Sequence, residues 1–253
     1  MRFLLTALLG TSLVAAQAAP ADRRPPRRFY TPSHQPYRRP PARLTIGLNL
    51  ATYNGDLTGK LQDNTLRPGV NLGMVRPLSP HLTFGLDLAY FQLKAVDHYP
   101  ERGLRFEGGN GLLAAFLRYN ILADKSMYLG PNNRPTTWQP FLQAGAGVAL
   151  YNPRLSQVVP GGTIVRLAPE GQGQSPSFSG GAGVFPVGGG VSLRTSRSLY
   201  FTLEGLYYFT TSDQFDGVSQ RANPKSNDDF VTVTLKMEYA FYKKKGKPLV
   251  HFD

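Results

Sequence analysis

From Val231 to Phe241 every second residue is apolar: Val231, Val233, Leu235, Met237, Tyr239 and Phe241. The residues between them are Thr232, Thr234, Lys236, Glu238 and Ala240. A period of two sends the two sets to opposite faces of a β-strand. One face is apolar throughout while the other carries a lysine and a glutamate, so the strand divides a greasy medium from a polar one. Its run of about 11 residues is what a tilted strand needs to cross a bilayer. It ends in Tyr239 and Phe241, an aromatic pair suited to the headgroup level.

The same alternation recurs upstream. Leu44, Ile46, Leu48 and Leu50 begin the series, followed by Val70, Leu72 and Met74, and then by Leu82, Phe84, Leu86, Leu88 and Tyr90. Leu112–Leu117 is nearly continuous apolar; choosing Leu113, Ala115, Leu117, Tyr119 and Ile121 as outward turns Arg118 inward. Further runs are Trp138 with Leu142 to Leu150, Phe185 to Leu193, and Leu199 to Phe209. With the final run this predicts an all-β fold, an antiparallel transmembrane β-barrel of about eight strands, an even number as in single-chain outer-membrane barrels. Short turns join strands two and three, and six and seven. The links near 53–66, 92–105, 152–184 and 210–229 are longer and rich in Gly, Pro, Asn and Ser. Long loops at one end and short turns at the other is the asymmetry of such barrels. The link Ala123–Thr137 is longer than that pattern expects.

Met1-Arg2, the apolar run Phe3–Val14 and Ala16-Gln17-Ala18 have the form of a secretory signal with a small-x-small cleavage site. The expected division is a signal peptide over 1–18, an Arg/Pro-rich periplasmic linker over 19–43, an outer-membrane barrel over 44–242 and a basic tail over 243–253. No segment approaches the ~20 apolar residues of a membrane helix. The chain has no cysteine, which excludes disulfides, thiolate metal sites, a cysteine nucleophile and a lipidated cysteine. Its net charge of +12 is concentrated at the ends. Arg23, Arg24, Arg27, Arg28, Arg38, Arg39 and Arg43 face one Asp22, and Lys243, Lys244, Lys245 and Lys247 face Asp253. An even strand count brings both ends to the periplasmic side. There they are expected to contact anionic headgroups, cell-wall polymer or an acidic protein partner; an exported chain seldom meets nucleic acid.

An eight-stranded barrel is just wide enough to be filled by its own side chains. Asp87, Arg118, Arg194, Glu204, Lys236 and Glu238 are the expected polar network of the lumen, with Asn49 and Gln143 beside them. Charges of both signs in so narrow a space should pair. Tyr90, Trp138, Tyr207, Phe209, Tyr239 and Phe241 are expected at the lipid interfaces. Gly145, Gly147, Gly188 and Gly190 relieve crowding inside the barrel or permit bending. The four histidines, His34, His81, His98 and His251, lack metal-ligand spacing. His98 with Asp97 or Glu101 and a loop serine is a conceivable triad without a supporting local motif. Asp213, Asp216 and the pair Asp228-Asp229 could hold a divalent cation from a loop, against the plainer reading of a solvated loop end. No cofactor is expected, no catalytic site, and a monomeric barrel.

Several stretches together are similar to a family of small Gram-negative outer-membrane barrels that includes the PorG-like barrel subunit of the type IX secretion system. They are Tyr53-Asn54-Gly55-Asp56-Leu57, Leu117-Arg118-Tyr119-Asn120, Pro140-Phe141-Leu142 with Ala144-Gly145-Ala146-Gly147, and Tyr151-Asn152-Pro153. Glu170-Gly171-Gln172-Gly173, and Phe209–Asp213 with Asp216-Gly217-Val218-Ser219, complete the series over about 44–242. The resemblance implies a barrel without catalytic function and raises a role in anchoring periplasmic secretion machinery. The function expected is thus structural or docking. A surface-binding or adhesion barrel, a small porin and a lipid-modifying enzyme are the rivals.

Overall fold

Inside and outside are exchanged relative to a water-soluble protein. On the last strand Leu235 is 55% exposed while its neighbour Lys236 is 1% exposed. The computed structural model describes residues 28–54, 66–96, 104–130, 133–158, 164–167, 180–212 and 229–242. The barrel is made of β3 (Arg43–Asn54), β4 (Arg67–Pro77), β5 (Leu82–Val96), β6 (Leu104–Asn120), β7 (Trp138–Val158), β9 (Gly180–Arg194), β10 (Leu199–Thr210) and β11 (Asp229–Ala240). Their order around the wall is β6-β5-β4-β3-β11-β10-β9-β7, and β6 pairs with β7 to close it. All of these pairs are antiparallel. Closure leaves no unpaired edge in the lipid, where an unsatisfied backbone group costs several kcal/mol. The eight strands and the outward phase of each are those predicted above.

The strands do not end at a common height. β3, β10 and β11 have 12 residues each, whereas β6 has 17 and β7 has 21. At the end away from the short turns β7 runs on from its last pair with β9, at Tyr151, to Val158, whereas β5 keeps pace with β6 to the pair Val96–Arg105; at ~3.3 Å per residue this side of the wall is the tall one. A further strand, β8 (Ile164–Leu167), pairs with the top of β7. Outward positions change character there: Leu113 and Leu150 lie lower on the wall, Arg105, Glu107, Asn152 and Arg154 higher. The expected loops at 92–105 and 152–184 are correspondingly shorter than predicted. Once a strand has left the hydrocarbon it no longer needs an apolar face, so the signal that marks it fades while its ladder continues.

The other end is capped. Residues 28–42 were expected to be part of an extended linker, yet β1 (Phe29–Tyr30) and β2 (Pro36–Tyr37) form an antiparallel hairpin. It seats on the overlong link between β6 and β7, which carries the one helical element among the described residues, a 3-10 turn at Lys125–Met127. The Arg38 N–H donates to the Met127 carbonyl (2.9 Å) and the Leu129 N–H to the Pro36 carbonyl (3.2 Å). Tyr37 is 6% exposed, bridges Tyr128, and its hydroxyl donates to the Leu78 carbonyl (3.3 Å) in the β4–β5 turn. The long link thus has a packing role that a short turn could not fill. The hairpin escaped sequence reading because one buried tyrosine and a few backbone bonds leave no periodicity.

Tyr37→Ala should free this cap while sparing the barrel. Hydrogen exchange at the Arg38 and Leu129 amides is expected to accelerate by roughly tenfold or more, with the Leu203 amide of β10 unchanged.

Candidate functional site

The lumen is filled in two layers. In the half nearer the long loops, Phe91, Leu93, Leu112, Tyr151, Val184, Leu206, Tyr208 and Phe230 form an apolar cluster. Phe230 stacks on Tyr208 with ring centroids 4.4 Å apart and lies 5.0 Å from Phe91. The half nearer the short turns is ionic, and its charges alternate along a single path. Lys236 Nζ donates to Asp87 Oδ2 and, at 2.6 Å, to Glu204 Oε1. Arg118 donates from one terminal nitrogen to Glu204 Oε2 (3.1 Å) and from the other to Glu238 Oε1 (3.1 Å). Arg43 Nε lies 3.0 Å from Glu238 Oε2, an ion pair without hydrogen-bond alignment. The order is therefore Asp87, Lys236, Glu204, Arg118, Glu238, Arg43, carboxylate and cation in turn, and each inner member has an opposite charge on both sides.

Neutral groups complete the ladder. Arg118 Nε donates to Gln143 Oε1 (3.2 Å), and its guanidinium lies 4.0 Å from the Phe141 ring centre. The Thr202 hydroxyl donates to Glu238 Oε1 (2.7 Å) and shares a 2.7 Å hydrogen bond with Ser192. Asp87 and Lys236 meet across β3 and β4 because two glycines clear the wall between them. A Cβ on Gly73 would run into Asp87 and come within 2.8 Å of Thr45 Oγ1; one on Gly47 would lie 2.9 Å from Lys236 Cγ.

Five of the six residues expected in the lumen network, Asp87, Arg118, Glu204, Lys236 and Glu238, are thus brought together. Arg194 stands apart at the capped mouth, with Nε donating to the Ser196 carbonyl (3.2 Å) and a terminal nitrogen 4.0 Å from Asp124 Oδ1. Position 194 has the inward phase, but it ends its strand and so points at the rim. Arg43, assigned above to the basic linker, is 6% exposed inside the barrel. It shares the odd phase of Thr45, Gly47 and Asn49, a signal that would have placed it there. Gly47 and Gly73 carried no signal that sequence could read, since their role depends on which charges face them.

The aromatics expected at the lipid interfaces fall into two groups. Tyr90, Tyr207 and Phe209 lie toward the long loops, and Trp138, Tyr239 and Phe241 toward the cap. Tyr207 and Phe209 pack at 4.8 Å, Tyr239 and Phe241 at 4.9 Å. Arg28, Arg38 and Arg39 are exposed at the capped end. Arg23, Arg24, Arg27, Lys243, Lys244 and Lys245 lie outside the described residues, as do Asp97, His98, Glu101, Asp213, Asp216 and Asp228. Asp229 accepts from the Tyr207 hydroxyl (2.8 Å) and the Thr210 N–H (3.2 Å). His81 Nδ1 lies 2.8 Å from the Asn120 carbonyl and its ring stacks on Tyr119, and His34 occupies the hairpin turn. Among the described residues no three His, Asp or Glu side chains group as metal ligands.

A closed sheet, apolar outside and filled with paired charges inside, is a transmembrane β-barrel. No protein-family model and no curated protein matches the chain. Among solved structures it is similar to Neisserial surface protein A, at 12% identity over 79% of this chain and 97% of that one, TM-score 0.44. Ail, the attachment invasion locus protein of Yersinia pestis, gives 12% identity over 79% and 97%, TM-score 0.44. A major outer membrane protein from Thermus thermophilus gives 11% over 79% and 99%, TM-score 0.46. Identities this low transfer no activity from one barrel to another.

Arg118→Leu strands two buried carboxylates and is expected to destabilise the barrel by about 3–5 kcal/mol. Lys94→Gln, at the partly exposed 3.9 Å pair with Glu107, should cost less than about 1 kcal/mol. Urea unfolding in lipid vesicles, followed by the heat-dependent gel mobility of folded barrels, measures both.

Proposed function

We propose that this chain is a non-enzymatic outer-membrane barrel of a Gram-negative cell that serves as a docking anchor. Its basic periplasmic end holds an acidic partner, and the sequence resemblance points to a component of a type IX-like secretion assembly. The observation that carries the reading is the contrast between the two ends of the lumen axis. The interior is occupied by an ion ladder and an aromatic layer. The capped end is a folded surface that displays arginines. A signal peptide over 1–18 supports export, and the short-turn end, where both chain ends emerge, is the periplasmic one. Anchoring then follows from the apolar wall in lipid and Coulomb attraction at the cap. The basic segments at 23–39 and 243–245 add to that attraction.

The height of β6 and β7 favours a second reading, a surface barrel that holds a ligand on its tall outer wall. The two readings use opposite ends of the molecule. Crosslinking of tagged protein in native outer membranes, followed by mass spectrometry, separates them. Docking predicts periplasmic proteins that disappear when residues 20–40 are deleted while the barrel still folds; an unchanged partner profile removes the docking reading. In planar bilayers the protein should give no discrete conductance, and steady single-channel steps would show that the lumen opens.

A further inference from the structure

The arginines of the cap are not used by the ladder. In the lumen Arg43, Arg118 and Lys236 are matched by Asp87, Glu204 and Glu238, which leaves no carboxylate of that set for the mouth. At the mouth four arginines border one cleft of about 280 Å³: Arg38 and Arg39 behind the hairpin, Arg194 at the end of β9, and Arg197 in the β9–β10 turn. Ser126 and Tyr242 complete its polar lining. Among the described residues the one acidic group at this end is Asp124. It is already engaged by the Ser126 N–H (3.0 Å) and hydroxyl (2.6 Å), with Arg194 4.0 Å away.

Three of the four guanidiniums lie against aromatic rings, and of these Arg194 also has Asp124 Oδ1 4.0 Å away. Arg39 lies 4.0 Å from the Phe29 ring centre, Arg197 4.6 Å from Tyr242, and Arg194 5.4 Å from Tyr200. Stacking occupies the face of a guanidinium and leaves its N–H edges free for an anion. One terminal nitrogen of Arg194, the one 4.0 Å from Asp124 Oδ1, is buried with no hydrogen-bond acceptor. A buried donor in that state is costly, and an anion in the cleft would satisfy it.

We propose that this mouth binds a phosphate group. Four arginines from two stretches of the chain, 38–39 and 194–197, suit a tetrahedral anion that accepts from several directions; a planar carboxylate is satisfied by a single bidentate arginine. The volume is just under the range of ordinary ligand pockets, ~300–1,000 Å³, and fits a headgroup-sized phosphate ester. The cleft lies beside Tyr239, Phe241 and Trp138, whose aromatic rings belong at the headgroup level. Membrane phospholipid and a soluble phosphate ester are the two sources of such a group. The inference does not rest on the docking reading, because Arg194 and Arg197 lie outside the segment whose deletion tests that reading.

The test is calorimetric titration of the full chain, folded in zwitterionic detergent at low salt, with glycerol 3-phosphate. Arg194→Gln/Arg197→Gln should weaken binding at least tenfold, while Arg154→Gln, which removes a charge at the opposite end, should leave it unchanged. Heat-dependent gel mobility reports that each variant is folded, and Arg197→Gln alone, on an exposed turn, serves if the double variant is not. Phosphorus retained after detergent washing of membrane-extracted protein identifies the source. Retention lost in the variant means a lipid headgroup; glycerol 3-phosphate binding without retained lipid means a soluble ester. Absence of binding to the wild-type chain at millimolar glycerol 3-phosphate, or equal affinity in the folded variant, overturns the proposal.

Discussion

Six paired acidic and basic side chains in the lumen of a narrow barrel decide much of what this molecule can be. An isolated charge there would lose its hydration without compensation, at a cost of several kcal/mol. The ladder from Asp87 to Arg43 avoids this by alternation. Lys236, Glu204, Arg118 and Glu238 each touch two opposite charges, so removal of any one leaves its neighbours half-satisfied. Its members sit on β3, β5, β6, β10 and β11, which ties together strands that are far apart in the wall. Backbone ladders bind each strand only to its neighbours. The ion ladder binds the barrel across its diameter, and in doing so it occupies the space through which a solute would pass.

The cap follows from the same arithmetic of charge. Carboxylates near the short-turn half are consumed by the lumen cations, so arginines gathered at the mouth must be stabilised in another way. They lie against Phe29, Tyr200 and Tyr242. Tyr200 marks the passage from one regime to the other. Arg43, the last cation of the ladder, lies 4.2 Å from its ring centre, and Arg194 of the mouth approaches the same ring. An interior whose acidic and basic side chains balance therefore ends in a surface with surplus positive charge. That surface is held in shape by the hairpin at 29–37 and by the described residues 121–130 of the link.

Much of this was legible in the chain. The outward faces follow directly from period-two alternation, because lipid accepts no charged side chain at its centre and so forces a clean pattern. Arg118 is an instance: within a nearly continuous apolar run, choosing Leu113, Ala115, Leu117, Tyr119 and Ile121 as outward turned Arg118 inward, and there it is buried. Legibility ended where that constraint ended. Above the membrane, residues 92–96 and 152–158 continue as strand in water, where either face can be polar. Below it, Tyr37 anchors a hairpin through contacts with Leu78 and Tyr128, far away in sequence and invisible to local pattern.

Sequence by itself determined the class of fold, the phase of eight strands and the five inward charges that pair, because each depends on a residue's own hydropathy and its neighbours two places away. Only the tertiary structure decided that Arg43 closes the ladder while Arg194 does not. It alone assigned Gly47 and Gly73 to the passage between Asp87 and Lys236, and brought Arg38, Arg39, Arg194 and Arg197 to one cleft. Those outcomes depend on which strands face each other across the barrel and on where each one ends. Curvature and strand stagger set both, and neither is written in any local run of residues.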